Sequence, residues 1–356
     1  MRLHPAWPTP AQIDTFASEG QCSRPQRETT MTRHRRRAAR AILLLILLLG
    51  LVAQLPLANM SSAEVVRFGK PVAGAFTFAL LDVGERAGIF KRHGLDLEIS
   101  AFTGGTRLVQ AETAGSIDIA FNTGPDMAMI FKGAPVRAVA LVSDSPLDLC
   151  LLVRPDLAVT AAADLKGKRI TVSSPFAMTA WMTRELARQE GWGADGIQLV
   201  PSASGPAFAL LKTKEVDGIT TDLGSGLQAQ KRGDAKVVVR FSERVKDLTM
   251  YVIFASEKMI SERPDTVRRF LAAWFETLDY VSARKGETLQ VAREVTNHDE
   301  DIVSELYDLV LPLISRTGRF EQKSLDTLAG SYIDLKLLPA KPDMSKTYTE
   351  QFLTLK

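Results

Sequence analysis

The sequence predicts an α/β fold of two lobes, each built on a mainly parallel sheet covered by helices. The main observation is a strand–turn–helix–strand pattern that occurs twice, over residues 95–124 and 197–224. In both copies a strand-like stretch leads into a turn containing Gly or Ser, then a short helical run and a second strand. Right-handed crossovers place successive βα units in parallel sheets, so the repeat predicts two such sheets.

The similarity between the two copies extends upstream. Residues 65–68 and 168–172 each form a predicted strand that leads through a Pro-containing loop into a helix. The shared order indicates a duplicated βαβαβ unit, with chance similarity between βα segments as the alternative. Ligands of open α/β sheets bind beyond the carboxyl ends of the strands. Both copies place Gly, Ser and Thr there, which predicts a cleft lined with N–H groups and hydroxyls.

Two strands are expected to connect the lobes. Residues 147–153 carry the chain into the second lobe, and residues 249–255 return it to the first. Two crossing strands would form a hinge beside the cleft. We therefore expect lobe 1 to contain residues 64–149 and 250–356, and lobe 2 to contain residues 150–249.

The C-terminal part of the chain has the periodicity of helices. Pro264 gives a helix start, and six apolar residues follow at helical spacing: Val267, Phe270, Leu271, Trp274, Phe275 and Leu278. Three more amphipathic segments follow, at residues 289–295, 302–311 and 323–335. We expect these helices to pack on lobe 1, with Trp274 and Phe275 in its core.

The N-terminal part has the layout of a cleavable secretory signal. Residues 31–63 contain a basic stretch, an apolar run and the small residues Ser61, Ser62 and Ala63. The apolar run is shorter than the ~20 residues of a membrane span, which favours cleavage over an anchor. No cysteine stands at the end of the run, so we expect no lipid anchor. Residues 1–30 are interpreted as a non-native extension from an upstream start, and the export route, Sec or Tat, stays open.

Composition and charge narrow the function classes. The chain has 356 residues, 24% of them charged, and a formal net charge of only +3. Much of the positive excess lies in the signal, so no nucleic-acid partner is expected. The two cysteines, Cys22 and Cys150, have no metal-ligand spacing. The sequence also lacks a P-loop and a Ser–His–Asp pattern, which favours a binding protein without a cofactor or a metal over an enzyme.

Several short motifs resemble those of a known family. They are Gly88-Ile89-Phe90, Gly115-Ser116-Ile117-Asp118, Lys132-Gly133-Ala134-Pro135, Asp164-Leu165-Lys166-Gly167-Lys168 and Arg263-Pro264-Asp265. In this order they resemble the periplasmic substrate-binding proteins of ABC importers for nitrate, sulfonates, taurine and thiamine-pyrimidine precursors. The resemblance runs from about residue 65 to residue 311. It implies a type II periplasmic-binding fold that closes on a small solute.

The resemblance also implies partners and a location. The implied partners are a membrane permease and its ATPase. The implied location is the periplasm, where the protein would act as a monomer. Two segments depart from the family pattern, at residues 174–178 and 221–224, so the ligand stays open. Pyrimidine-synthesising enzymes of the same superfamily carry a Cys-rich motif that this chain lacks. An enzyme of the same fold, acting on a pyrimidine or menaquinone precursor, is the alternative, and a sensor or partner subunit is a second one.

The candidate ligand-binding residues share a position at strand ends and helix starts. They are Phe76, Thr77, Gly104, Gly105, Thr106, Asn122 and Thr123 in lobe 1, and Ser173, Ser174, Phe176, Ser204, Gly205, Thr221 and Asp222 in lobe 2. N–H groups at helix starts, together with hydroxyls, can hold an anion without a lysine. The alternative is that these residues only cap helices and form turns.

Charged and aromatic side chains leave the ligand's charge open. A carboxylate of Asp222 in the cleft would favour an amino or cationic group on the ligand. Arg107 and Arg184 would favour an anion if they faced the cleft. Trp181 could stack on a ring or belong to the core. We expect a periplasmic receptor for a small nitrogen- or sulfur-containing organic solute.

Overall fold

The computed structural model describes residues 63–353, apart from the side chain of Ser204. The predicted extension and all of the predicted signal except Ala63 lie outside the described residues. Within residues 63–353, no helix has both the length and the apolar character needed to cross a bilayer.

Ten strands of the described chain form two five-stranded sheets. The sheet of lobe 1 has the order β2-β1-β3-β10-β4, with β1 Glu64–Lys70, β2 Leu95–Ala101, β3 Ile119–Thr123, β4 Val136–Ser143 and β10 Tyr251–Ser256. The sheet of lobe 2 has the order β7-β6-β8-β5-β9, with β5 Leu149–Val153, β6 Arg169–Val172, β7 Gln198–Pro201, β8 Gly218–Asp222 and β9 Lys236–Arg240. The predicted α/β fold of two sheets is confirmed.

Both sheets are mixed, and the predicted mainly parallel arrangement holds for four of the five strands in each. In lobe 1, β1 pairs in parallel with β2 and β3, but β10 is antiparallel to β3 and β4. In lobe 2, β6 pairs in parallel with β7 and β8, but β5 is antiparallel to β8 and β9. The antiparallel strand of each sheet is the one that enters from the other lobe. It starts at the edge where the parallel strands end, so it has to run in the opposite direction.

Helices between the strands cover the two sheets, and further helices follow the last strand, β10. They are α1 Phe76–Arg86, α2 Ile89–Arg92, α3 Gly105–Thr113, α4 Met178–Gln189, α5 Ser204–Lys212, α6 Leu223–Lys231, α7 Phe241–Arg244, α8 Glu257–Glu262, α9 Pro264–Ala283, α10 Lys285–Thr296, α11 Glu300–Val310 and α12 Gln322–Asp334. A 3₁₀ helix at Gly124–Lys132 leads from β3 to β4, and shorter ones lie at Ala162–Leu165, Leu311–Leu313 and Met344–Lys346.

An aromatic cluster packs the long helix α9 on the sheet of lobe 1. Phe68 contacts Phe121 edge-on at 5.1 Å between ring centroids and stacks on Phe270 at 5.4 Å. Trp274, fully buried, meets Phe121 at 5.1 Å. Such pairs add roughly 0.5–1.5 kcal/mol each to the burial of their area. The predicted packing of C-terminal helices on lobe 1, with Trp274 in the core, is confirmed.

The same C-terminal helices also contact lobe 2, which the sequence did not predict. Asp334, the last residue of α12, accepts hydrogen bonds from Trp181 Nε1 at 3.0 Å and from Arg188 Nη2 at 2.9 Å, both on α4. On a second side, Lys231 of α6 forms ion pairs with Asp299 and Asp301. The lobes are therefore joined by side chains as well as by the two crossing strands.

Candidate ligand-binding site

The connection between β4 and β5 carries a buried aspartate whose side chain contacts lobe 1 and whose backbone contacts lobe 2. Asp148 accepts hydrogen bonds from the hydroxyl of Tyr251 and, at 3.2 Å, from that of Thr77 at the start of α1. Its backbone oxygen accepts from the N–H of Leu223, at the start of α6, at 2.7 Å. Burial raises the pKa of Asp148 to about 6, and the nearby charge of Asp222 adds to the rise. Sequence reasoning missed this residue.

Lobe 2 has a cavity of about 190 Å³ at the ends of β6, β7 and β8. The parallel strands place polar side chains there, and the cavity brings three of the predicted residues together: Ser173, Thr221 and Asp222. Most of its polar lining is hydroxyl groups, contributed by Thr171, Ser173, Thr179, Ser202, Thr220 and Thr221. Asp222 adds one carboxylate. The arrangement is a polar pocket with several convergent hydrogen-bonding groups.

Asp222 caps α6 and also lines this cavity. Its Oδ1 accepts from the N–H of Ser225 at 2.7 Å, and its Oδ2 accepts from the hydroxyl of Thr221 at 3.3 Å. A carboxylate oxygen has two acceptor positions, so these two bonds leave capacity on both oxygens. Capping and ligand binding, which sequence reasoning treated as alternatives, are therefore compatible here.

An exposed aromatic side chain lies on the loop beside the cavity. Phe176 is 57% exposed, on the loop that joins β6 to α4. Its N–H donates to Ser174 Oγ at 3.3 Å, and Arg184 donates to the oxygen of Pro175 at 3.1 Å, which holds the loop. Ser173 and Thr179, on either side of this loop, are hydrogen-bonded to each other at 3.0 Å and line the cavity.

Several candidate residues of lobe 1 contact other residues of the protein, which leaves them less available to a ligand. Asn122 is fully buried, and its Nδ2 donates to Glu112 Oε2 at 3.1 Å. Thr123 and Asp126 form a capping box at the 3₁₀ helix that follows β3. A β carbon at Gly105 would lie 2.2 Å from Asp126 Oδ2, so a carboxylate already lies against the start of α3. Burial, together with the charge of Asp126, raises the pKa of Glu112 to about 8.

The other candidates differ in exposure. Phe76 and Thr77 are buried at the start of α1, whereas Thr106 is exposed and Gly104 is half-buried before α3. Gly205 is exposed in α5, where the side chain of Ser204 lies outside the description. Arg107 is exposed on α3. Trp181 is 4% exposed and bonded to Asp334, so it contacts the other lobe instead of an open cleft.

The described residues offer little for metal or thiol chemistry. Between residues 63 and 353, no group of three or more His, Cys, Asp or Glu side chains is placed to hold a metal ion. Cys150, the cysteine of this part of the chain, is fully buried. Burial raises the pKa of its thiol, and the charges of Asp222 and Asp148 raise it further. A thiolate nucleophile is therefore disfavoured at this position.

Comparisons with known proteins identify the family and the fold. The family model described as NMT1/THI5 like matches residues 75–287, more than half of the chain. A Brucella abortus (strain 2308) protein that is named as a binding protein is 25% identical over 250 residues, which cover 69% of this chain and 76% of that protein.

Solved structures share the two-lobed architecture. The alkanesulfonate-binding protein SsuA from Xanthomonas axonopodis pv. citri, bound to MOPS, matches with a TM-score of 0.67 and 15% identity, over 80% of this chain and 98% of that one. The desulfurization enzyme DSZB, in complex with biphenyl-2-sulfinic acid, matches with a TM-score of 0.60 and 16% identity, over 82% and 97%. At such identities the likeness concerns the fold. The chain belongs to the NMT1/THI5-like family and has the periplasmic-binding-protein fold.

Proposed function

We propose that this protein is the solute-binding component of an ABC importer in the periplasm. It would capture a small nitrogen- or sulfur-containing organic solute between its lobes, as a monomer, and deliver it to a permease and its ATPase. The observation that carries the proposal is the hydroxyl-lined cavity at the strand ends of lobe 2, next to the hinge connection at Asp148. Family membership and the binding proteins among the similar chains support it.

The available contacts are sufficient for useful affinity. A micromolar complex needs about 8 kcal/mol in total. Neutral hydrogen bonds contribute roughly 0.5–1.5 kcal/mol each and charge-assisted ones roughly 1.5–3 kcal/mol. The hydroxyls of the cavity, the carboxylate of Asp222 and a ring contact with Phe176 could reach that total together.

The solute classes we propose are those of the family. They are sulfonates, taurine, nitrate and thiamine-pyrimidine precursors. SsuA, which has the same fold, is bound to MOPS, a molecule that carries a sulfonate group. Delivery to a permease is part of the proposal, and the likeness to proteins named as parts of ABC import systems supports it. Closure around the solute would create the surface that the permease binds, because the ligand favours the closed state over the open one.

An enzyme of the same fold is the second candidate, and the likeness to DSZB favours it. It would act on a pyrimidine or menaquinone precursor. The buried Cys150 with its raised pKa disfavours thiol chemistry within residues 63–353. The lining of the lobe 2 cavity, all within the described residues, is mostly hydroxyls and includes no histidine, which suits binding better than acyl or proton transfer.

Native mass spectrometry of protein recovered from the periplasm tests this function. We expect one small solute per chain, released unchanged on denaturation and rebound on refolding. Ser173→Ala, which removes a cavity hydroxyl, should lower the retained fraction several-fold. Ser261→Ala, on the exposed side of α8, is the matched control and should retain the solute as the unaltered protein does. Conversion of the solute into a product by the purified protein would support the enzyme instead.

A further inference from the structure

The formal charge of the lobe 2 cavity follows from the residues that line it. The polar groups of this lining are hydroxyls and the carboxylate of Asp222. All the lining residues fall within the described part of the chain, and none of them is a lysine or an arginine. Hydroxyls can donate or accept, but a carboxylate only accepts when ionised. The one formal charge at the cavity wall is therefore negative.

A second carboxylate, that of Asp148 in the connection between β4 and β5, adds to the negative charge near the cavity. Asp148 is 8% exposed, and the side chains bonded to it, Tyr251 and Thr77, are neutral hydroxyls. Its pKa is raised by burial and, further, by the charge of Asp222, which means that the two carboxylates repel one another. A cation bound at Asp222 would offset that repulsion, whereas an anion would increase it.

Two basic side chains near the strand ends are already engaged elsewhere. Arg184 donates to the oxygen of Pro175 and does not line the cavity. Lys70, at the end of β1, is buried and forms an ion pair with Asp82 at 2.7 Å. Neither one compensates the carboxylates of Asp148 and Asp222.

We propose that the lobe 2 cavity binds the amine or amidine head group of a cationic solute, with Asp222 as the residue that selects its charge. The apolar or ring-shaped body of the solute would extend from the cavity toward the exposed ring of Phe176. This inference rests on the proposed function and narrows it: solutes whose one polar group is an anion, such as nitrate or a simple alkanesulfonate, are disfavoured.

Two probes with the same ring and opposite charge test the inference: benzylammonium and benzenesulfonate. Isothermal titration of the ligand-stripped full-length mature protein at pH 7.5 should give at least tenfold tighter binding for benzylammonium. Asp222→Asn keeps a good helix cap but removes the charge, and it should weaken benzylammonium about tenfold without weakening benzenesulfonate. Asp234→Asn removes a charge from the opposite edge of lobe 2, where Asp234 pairs with Arg232, and should change neither.

Three results would overturn the inference: equal or tighter binding of benzenesulfonate, no binding of benzylammonium at millimolar concentration, or equal effects of Asp222→Asn and Asp234→Asn. A wholly anionic solute released from the native protein would also contradict it. That last result would leave the solute-binding function intact, because the function depends only on a solute being retained. Failure of the function would show as turnover or as an empty native protein.

Discussion

The indole Nε1 of Trp181 donates a 3.0 Å hydrogen bond to Asp334 Oδ2, and this bond joins lobe 2 to the last C-terminal helix on lobe 1. Arg188, two turns further along α4, donates to the same oxygen at 2.9 Å. A second contact between the lobes is the pairing of Lys231 with Asp299 and Asp301. Because both contacts connect groups on different lobes, movement of the lobes about the hinge would strain or break them.

Loss of the Asp334 contact should weaken solute binding. Asp334→Ala removes a hydrogen bond and an ion pair that favour the conformation seen here. A net loss of about 1 kcal/mol corresponds to an affinity about fivefold lower. Asp326→Ala, on the same helix and exposed, is the control. Titration of the native solute together with the radius of gyration from X-ray scattering checks this, and equal affinities for the two variants would contradict it.

Ionisation of Glu112 should destabilise the protein as the pH rises. Its pKa is raised to about 8, so the native protein keeps a proton that the unfolded chain loses near pH 4.5. Between these values the free energy of unfolding should fall with pH, by up to about 1.4 kcal/mol per unit from this group. Glu112→Gln cannot ionise, and its amide can donate to the unpaired Oδ1 of Asn122.

Urea unfolding at pH 6, 7 and 8 measures this effect. Glu112→Gln should lose less stability over the range than the unaltered protein and be the more stable of the two at pH 8. Glu305→Gln, on the exposed face of α11, should follow the unaltered protein. Parallel pH curves for all three proteins would show that Glu112 is ionised throughout.

Asp148 should produce a similar effect at lower pH. Its pKa of about 6 lies above the ordinary value of 3.8, so its contribution to stability is present below pH 4 and is lost as the pH rises to about 6. Asp148→Asn should therefore gain about 3 kcal/mol relative to the unaltered protein between pH 4 and pH 7. Asp144→Asn, on the same connection between β4 and β5, is the control. Equal pH dependence of the two variants in urea unfolding would argue against the raised pKa.

The close contact between α1 and α9 should not tolerate a methyl group. A β carbon at Gly84 would lie 2.0 Å from Thr277 Oγ1, on the buried face of α9. Gly84→Ala should therefore lower the free energy of unfolding by roughly 1–3 kcal/mol. Gly286→Ala, in the exposed first turn of α10 with nothing within 4 Å of the new carbon, should be neutral or slightly stabilising. Comparable midpoints of thermal unfolding for the two variants would contradict the packing shown here.

Much of the fold could be predicted because it is encoded locally. The repeated strand–turn–helix order, the helix start at Pro264 and the return of β10 to lobe 1 are all readable as periodicity and turns. The direction of β5 and β10 relative to their neighbours was not predicted. Periodicity shows which face of a strand is buried, but it carries no information on whether the adjacent strand runs the same way.

The candidate site was predicted less completely, since its contacts span long stretches of sequence. Asp148 was missed because its partners Thr77 and Tyr251 are 71 and 103 positions away. A charged residue in an otherwise apolar crossing segment was the available signal. Asp126 could have been found, because Thr123 and Asp126 have the spacing of a capping box. That spacing would have indicated that Thr123 caps a helix.

Hydrogen exchange with and without the native solute tests most directly the claim that a solute binds between the lobes. We predict slower exchange at the start of α1 in lobe 1 and, in lobe 2, over the β6–α4 loop and at Asp222 and the start of α6. Slower exchange confined to one lobe, or located at the outer helices, would contradict the account.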